Sequence, residues 1–321
     1  MLQRRTGYER IGGYMVDLSV QVGKVNLKNP VMLASGTCGF GRELAEYVDF
    51  SQVGGICSKG LTVLPREGNP GCRVAETPSG MLNSVGLQNP GLDVFLDREL
   101  PFMRTLDTTV IANIAGHSTE DYMRMTEVLG APDCPVDVLE LNLSCPNVKE
   151  GCMTIGATPE GVYQMIKAVR GLTDKPLWVK LTPNVTSITA TALAAEEAGG
   201  DAVVLINTLL GMAIDIRTRR PILMNNTGGL SGPAIKPVAI RMISECYRVL
   251  SIPIIGVGGI MSAEDVIEFM IAGASAVEIG TASLLHPAVC EKIVLDLEEY
   301  MLENQIPAIS ELTGSLRLWE S

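Results

Sequence analysis

Short β-rich apolar runs alternate with segments of helical periodicity from Pro30 nearly to the end of the chain, and this alternation constrains the fold most. The runs fall at 31–34, 55–58, 110–114, 138–142, 177–181, 202–206, 253–257 and 276–279. Between them the spacing predicts helices over 120–129, 159–170, 187–198, 234–250, 263–272 and 287–302. Several open on good N-caps: Thr158 before Pro159, Thr186 or Ser187, and Ser262 followed by Ala-Glu-Asp. Several close at glycine, namely Gly130, Gly171, Gly199 and Gly273. Eight strands alternating with helices and joined without linkers predict an α/β protein built as a closed parallel (β/α)8 TIM barrel.

A length of 321 residues suits one such barrel, and we expect 1–321 to form a single domain. A hydrophobic content of 46% with 19% charged residues supplies the core of a globular enzyme. Two long insertions, 61–106 after the second strand and 209–232 after the sixth, have no place in the bare barrel. Residues 17–27 read as a hairpin around Gly23-Lys24 that closes the barrel bottom.

The net charge of −11 argues against nucleic acid or an anionic membrane surface as a partner. No run of 18 apolar residues occurs, and residues 1–14 lack the apolar region of a signal peptide, so no membrane association is expected. The eight cysteines include no C-x-x-C pair, so neither a zinc ribbon nor an iron–sulfur cluster is signalled and no metal is expected on this chain. Reduced thiols in a cytoplasmic protein fit this usage.

Polar groups gather where the strands end: Ser35-Gly36, Ser58-Lys59-Gly60, Asn113, Asn142 to Cys145, Lys180, Asn207-Thr208, Gly258-Gly259 and Gly280-Thr281. In a (β/α)8 barrel the active site is built on that C-terminal face. The densest of these stretches is Asn142-Leu-Ser-Cys-Pro-Asn147. Its Cys145 can serve as a base or nucleophile flanked by amides, or can simply pack as a small hydrophobe. Gly256-Val-Gly-Gly259 and Gly280-Thr281 follow the last two strands, where backbone N–H groups can approach a phosphate. Their spacing is not G-x-G-x-x-G, so a mononucleotide suits them better than a dinucleotide. Lys180, ending its strand, would need an anion across the cavity. The N1–O2 edge of a reduced flavin supplies one, while a Schiff-base lysine of the aldolase kind is the rival reading. Lys59 is a second cation at the mouth, able to neutralise a carboxylate, and Asn83, Asn142, Asn147, Asn207 and Thr208 suit a planar heterocycle with alternating C=O and N–H.

In combination, Asn142-Leu-Ser-Cys-Pro-Asn147, Asn83-Ser-Val-Gly-Leu-Gln-Asn89, Asn207-Thr-Leu-Leu-Gly211, Thr227-Gly-Gly-Leu-Ser-Gly-Pro-Ala-Ile-Lys-Pro237 and Gly256-Val-Gly-Gly-Ile260 resemble dihydroorotate dehydrogenase. The resemblance runs from about Asp17 to Ser283, leaving residues 1–16 as an N-terminal extension outside it. Cysteine at 145, where the membrane-associated class has serine, resembles the class 1 enzymes, and 207–237 resembles the NAD-linked 1B catalytic subunit more than the fumarate-using 1A form. The resemblance implies FMN-dependent oxidation of (S)-dihydroorotate to orotate in pyrimidine biosynthesis, with Cys145 as base. It implies FMN contacts from Ser35, Lys59, Gly60, Asn113, Asn142, Lys180, Ile206, Gly232, Gly258, Gly259, Gly280 and Thr281. It implies substrate contacts from Lys59, Asn83, Ser84, Val85, Gly86, Leu87, Asn142, Asn147, Asn207 and Thr208. It further implies a homodimer joined to a partner subunit carrying FAD and a [2Fe–2S] cluster, a heterotetramer that delivers electrons to NAD. An aldolase using Lys180, and a subunit that binds FMN without catalysis, are the readings from other classes.

Overall fold

The computed structural model describes residues 16–144 and 155–319. The first hairpin pairs β1 (Val20–Val22) with β2 (Val25–Leu27) around Gly23-Lys24. A β-carbon at Gly23 would lie 3.3 Å from the Asp201 carbonyl, just before a barrel strand begins, so the hairpin sits at the N-terminal end of the barrel.

The chain continues through β3 (Val31–Leu33), β4 (Gly55–Cys57), β5 (Val74–Thr77) and β6 (Gly80–Asn83). Next come α1 (Leu92–Val94), a π-helical turn (Phe95–Glu99) and α2 (Leu100–Met103), then β7 (Thr109–Ile114), α3 (Thr119–Leu129) and β8 (Val138–Asn142). After them lie α4 (Pro159–Arg170), β9 (Leu177–Lys180), α5 (Ile188–Glu197) and β10 (Ala202–Leu205). The second insertion holds β11 (Leu209–Gly211), β12 (Ile214–Asp215), β13 (Arg220–Pro221) and β14 (Gly228–Ser231). The chain closes with α6 (Lys236–Tyr247), β15 (Ile254–Val257), α7 (Ala263–Ala272), β16 (Ala276–Ile279), α8 (Thr281–Leu285) and α9 (Val289–Glu303).

Strands β3, β4, β7, β8, β9, β10, β15 and β16 form a closed parallel barrel in that order. These are the eight apolar runs, each within a residue or two of its expected limits. They are buried nearly throughout because helices cover the outer face and packed side chains fill the inner one. Thr158 and Ser187 cap their helices by accepting from Gly161 N and Ala190 N, and Ser262 with Asp265 forms a reciprocal capping box. The helix expected from Ala234 begins as a tight 3-10 turn (Pro233–Ile235) before α6, because Pro233 and Pro237 remove N–H donors. Among the described residues no helix is long and apolar enough to cross a membrane.

The insertions form a structure that their sequence does not announce. Strand β14 pairs antiparallel with both β11 and β6, giving one sheet in the order β11-β14-β6-β5 from segments far apart in the chain. Its register sets Asn83 opposite Gly229. A β-carbon at Gly229 would lie 2.0 Å from Thr208 Oγ1, and one at Gly60 would lie 3.3 Å from Leu87 Cδ2. The added sheet and its following loop thus stand against the C-terminal ends of β10 and β4.

Candidate active site

The motif Gly256-Val-Gly-Gly259 divides into two functions. A β-carbon at Gly256 would meet Phe269 Cδ1 at 2.4 Å, so this glycine lets α7 pack on β15. Gly258 and Gly259 turn away with φ of 127° and 82°, backbone that side-chain-bearing residues rarely adopt. A β-carbon at Gly259 would sit 2.9 Å from both Gly232 O and Lys236 N, so these two loops touch. Thr281 Oγ1 donates to Ser231 Oγ at 2.8 Å, tying the loop after β16 to the end of β14. At Gly280 the nearest atom to an added β-carbon would be Ala34 Cβ, 3.7 Å away, which brings in the Ser35 end of β3. Gly232, Gly258, Gly259, Gly280, Thr281 and Ser35 therefore gather at one edge of the barrel mouth, in the bare-backbone form that accepts a phosphate. Ile206 adjoins this edge, its Cγ1 3.5 Å from where a Gly258 β-carbon would be.

Within the barrel, Lys180 is not a solitary cation. Its Nζ donates to Glu278 Oε2 at 2.6 Å and to Glu140 Oε1 at 3.3 Å, and both glutamates are fully buried. Asn113 Nδ2 and Cys57 Sγ also donate to Glu140 Oε1, the thiol at 3.3 Å. Burial works against every charge here. The Lys180 ammonium nevertheless lies above the usual lysine range, because Glu140 and Glu278 together outweigh its desolvation. Burial would also raise the Glu140 carboxyl, but the Lys180 ammonium, the facing Glu278 side chain and the donors Asn113 and Cys57 hold it below its usual range. Glu278 is pushed well above that range, by burial first and then by the facing Glu140. The two carboxyls and the Cys57 thiol lie within 4.8 Å of one another, a spacing suited to a cation, and the Lys180 ammonium takes that place. Strand alternation puts Trp178 on the same inward face as Lys180, one layer deeper.

A Schiff-base lysine must present a neutral amine, and these two carboxyls hold Lys180 charged. The aldolase reading is set aside on that ground.

The amides form a linked row. Asn207 Nδ2 donates to Asn142 Oδ1 at 3.2 Å, Thr208 N donates to Asn207 Oδ1 at 2.7 Å, and Asn83 Nδ2 donates to Gly229 O at 3.4 Å beside Thr208. Tyr122 fixes the Asn142 backbone by donating to its carbonyl at 2.6 Å, and Asn184 does the same for Thr208 at 3.0 Å. Among the described residues Asn142 Nδ2 donates to no protein acceptor. The loop Ser84-Val85-Gly86-Leu87 is braced from behind, since Asn69 donates to the Ser84 carbonyl through Nδ2 and to the Val85 carbonyl through N, both at 2.9 Å. Ser84 is buried, whereas Leu87 turns toward Gly60.

Lys59 differs from Lys180. Its Nζ lies beside Gly36, and among the described residues no carboxylate is in ion-pair reach. Burial pushes this ammonium below the usual lysine value. A largely buried cation without a partner is costly unless an anion arrives. Asn113 Oδ1 and Ser144 Oγ are buried acceptors with no protein donor among the described residues. A β-carbon at Gly60 would lie 2.9 Å from Asn113 Oδ1, so glycine leaves room beside that acceptor. An open glycine edge, an unpaired cation and orphaned amide groups fit a phosphorylated planar heterocycle such as FMN together with a carboxylate substrate.

Cys145 and Asn147 lie outside the described residues. Sequence reasoning missed Glu140, Glu278, Cys57, Ser231 and Asn184. A signal existed for the glutamates: each is a lone acid inside an otherwise apolar run, Val138-Leu-Glu-Leu141 and Ala276-Val-Glu-Ile279.

Residues 17–301 match the dihydroorotate dehydrogenase family. The chain is 53% identical over 303 residues to the catalytic subunit of dihydroorotate dehydrogenase B (NAD(+)) from Thermoanaerobacter pseudethanolicus, spanning 94% of this chain and 100% of that protein. It is 52% identical over 301 residues to the protein so named from Geotalea uraniireducens, across 94% and 98% of the two chains. To that from Bacteroides thetaiotaomicron it is 49% identical over 304 residues, across 95% and 100%. The barrel mouth of glycine loops, facing amides and a lysine with no carboxylate partner among the described residues thus belongs to a chain that is a member of the dihydroorotate dehydrogenase family.

Proposed function

We propose that this chain oxidises (S)-dihydroorotate to orotate with FMN bound at the barrel mouth, and that its electrons pass to NAD+ through a partner subunit. The observation that carries the reading is the meeting, at one barrel end of a dihydroorotate dehydrogenase, of the glycine edge, the amide row and Lys59, which has no carboxylate partner among the described residues. Gly232, Gly258, Gly259, Gly280, Thr281 and Ser35 would hold the FMN phosphate, and Gly60, Asn113, Ile206 and Lys180 would hold its ring. When bound, FMN supplies the acceptor for the hydride that leaves C6 of dihydroorotate.

Cys145 takes the proton from C5, so that the C5–C6 bond becomes the double bond of orotate. An unperturbed thiol has a pKa of about 8.5, so the site must favour the thiolate for this base to work well at neutral pH. Lys59 neutralises the substrate carboxylate. Asn83, Asn142, Asn147, Asn207 and Thr208 hold the ring C=O and N–H groups, and Asn147 and Asn207 meet charge that grows on the carbonyl during proton removal. The loop from Ser84 to Leu87 excludes water from the substrate side.

The names of the relatives, which print NAD(+) and a catalytic subunit, support NAD+ as acceptor and a second subunit beside this one; in this reading that subunit bears FAD and a [2Fe–2S] cluster and joins a homodimer of this chain in a heterotetramer. The second insertion supports assembly too, since Leu210, Met212, Ile214, Ile216 and Met224 expose apolar surface to solvent. Cytoplasmic placement accords with these partners. The test is the yield of orotate and the flavin content of purified protein, assayed with an artificial dye, with NAD+ and with fumarate. One FMN per chain with dye-linked orotate formation is expected. Efficient fumarate turnover would replace the NAD-linked reading and leave the dihydroorotate chemistry in place.

A further inference from the structure

Two fully buried carboxyls face one buried ammonium inside the barrel, an apparent excess of one negative charge. Burying an unbalanced charge costs several kcal/mol, so such a group is neutralised instead. The hydrogen bonds show which carboxyl takes the proton. Glu140 Oε1 accepts from Lys180, Asn113 and Cys57, the pattern of an ionised acid. Among the described residues Glu278 accepts only from Lys180. Glu140 Oε2 and Glu278 Oε1 are both buried and have no donor among the described residues, which an added proton between the two acids would remedy.

We propose that Glu140 and Glu278 carry one negative charge between them, with the proton on Glu278, and that they are positioning residues which hold Lys180 as a neutralised cation beneath the flavin. This rests on the flavin reading above. Lys180 ends β9 with its stem buried and its head tied by residues 40 and 98 positions away, so its ammonium cannot wander toward or away from a bound ring. The pair thereby sets how much positive charge the flavin meets. An extra carboxylate would oppose the anionic reduced form, and a missing one would favour it.

The assignment makes an unusual forecast, because either acid can carry the single charge alone. Glutamine at 278 reproduces the donor and acceptor of a protonated acid. With glutamine at 140, Glu278 gives up its proton and serves Lys180 directly. The test measures the FMN midpoint potential and the thermal unfolding midpoint of wild type, Glu140→Gln, Glu278→Gln and the double variant. Both single variants should match the wild type in potential, and only the double should shift it upward. Glu278→Gln should also unfold with the wild type, a readout that needs no flavin. An upward shift in Glu278→Gln alone, or equal half-sized shifts from the two single variants, would overturn the proposal. So would a double variant that retains FMN at the wild-type potential. If the double does not fold, Glu278→Gln decides alone. If the wild type binds no FMN, the flavin reading fails, and clear thermal destabilisation by Glu278→Gln would then overturn the shared charge, whereas wild-type unfolding would uphold it.

Discussion

In the proposed reading Cys145 and the two lysines carry the chemistry of single residues, and each can be separated by substitution. Cys145→Ala should slow flavin reduction by dihydroorotate roughly a hundredfold or more, the range for a positioned general base. Cys145→Ser should keep part of the rate with its pH profile moved upward, since an alkoxide forms less readily than a thiolate. Stopped-flow reduction checks both, and a wild-type rate in Cys145→Ala would demote the thiol to packing. Lys59→Ala should weaken orotate binding while FMN is retained. Because burial lowers the free Lys59 ammonium, orotate affinity should fall as pH rises through a value below the ordinary 10.5, and a titration of affinity against pH checks the sign. Lys180→Ala should be worse for the fold, because it strands the Glu140 carboxylate in the core at a cost of about 3–5 kcal/mol, measurable by denaturant unfolding. These lysines were legible in the sequence because Lys180 ends a strand and Lys59 follows one by two residues. Their difference was not, because the acids that separate them stand 40 and 98 residues from Lys180 and meet it only through barrel closure.

At the scale of elements, glycines in one motif should fail in different ways. Gly256→Ala forces a β-carbon against Phe269 and should cost about 1–3 kcal/mol by overpacking, while folded molecules still hold FMN. Gly259→Ala meets backbone atoms of Gly232 and Lys236 at a φ of 82°, and should lose FMN even where the fold survives. Flavin content per folded chain, set against thermal unfolding, separates the two. The barrel elements could be read locally: apolar runs mark the strands, and Thr158, Ser187 and Ser262 mark helix starts. The sheet joining the two insertions could not be. Its strands are at most four residues long, Gly80, Gly228 and Gly229 lack the side chains that give strand periodicity, and the pairing of Gly229 with Asn83 is a long-range contact.

As a whole molecule, in the proposed reading, this chain is one part of an electron path. It has no dinucleotide fingerprint and no C-x-x-C pair, so the chain alone should reduce artificial dyes but reduce NAD+ poorly, and a co-purified partner should restore NAD+ reduction. Rapid NADH formation by the isolated chain would remove the need for that partner. The division of labour follows the barrel, whose C-terminal face gathers the glycine edge, the amide row and Lys59 from most of its strands and both insertions. The central claim is that a flavin held there takes electrons from dihydroorotate. An anaerobic titration of the purified yellow protein with dihydroorotate, followed by visible absorbance, tests it most directly. The flavin bands should bleach with about one equivalent of dihydroorotate per flavin, and orotate should appear in the same amount. A colourless protein that cannot be reconstituted with FMN, or a flavin whose bands stay unchanged under excess dihydroorotate, would contradict it.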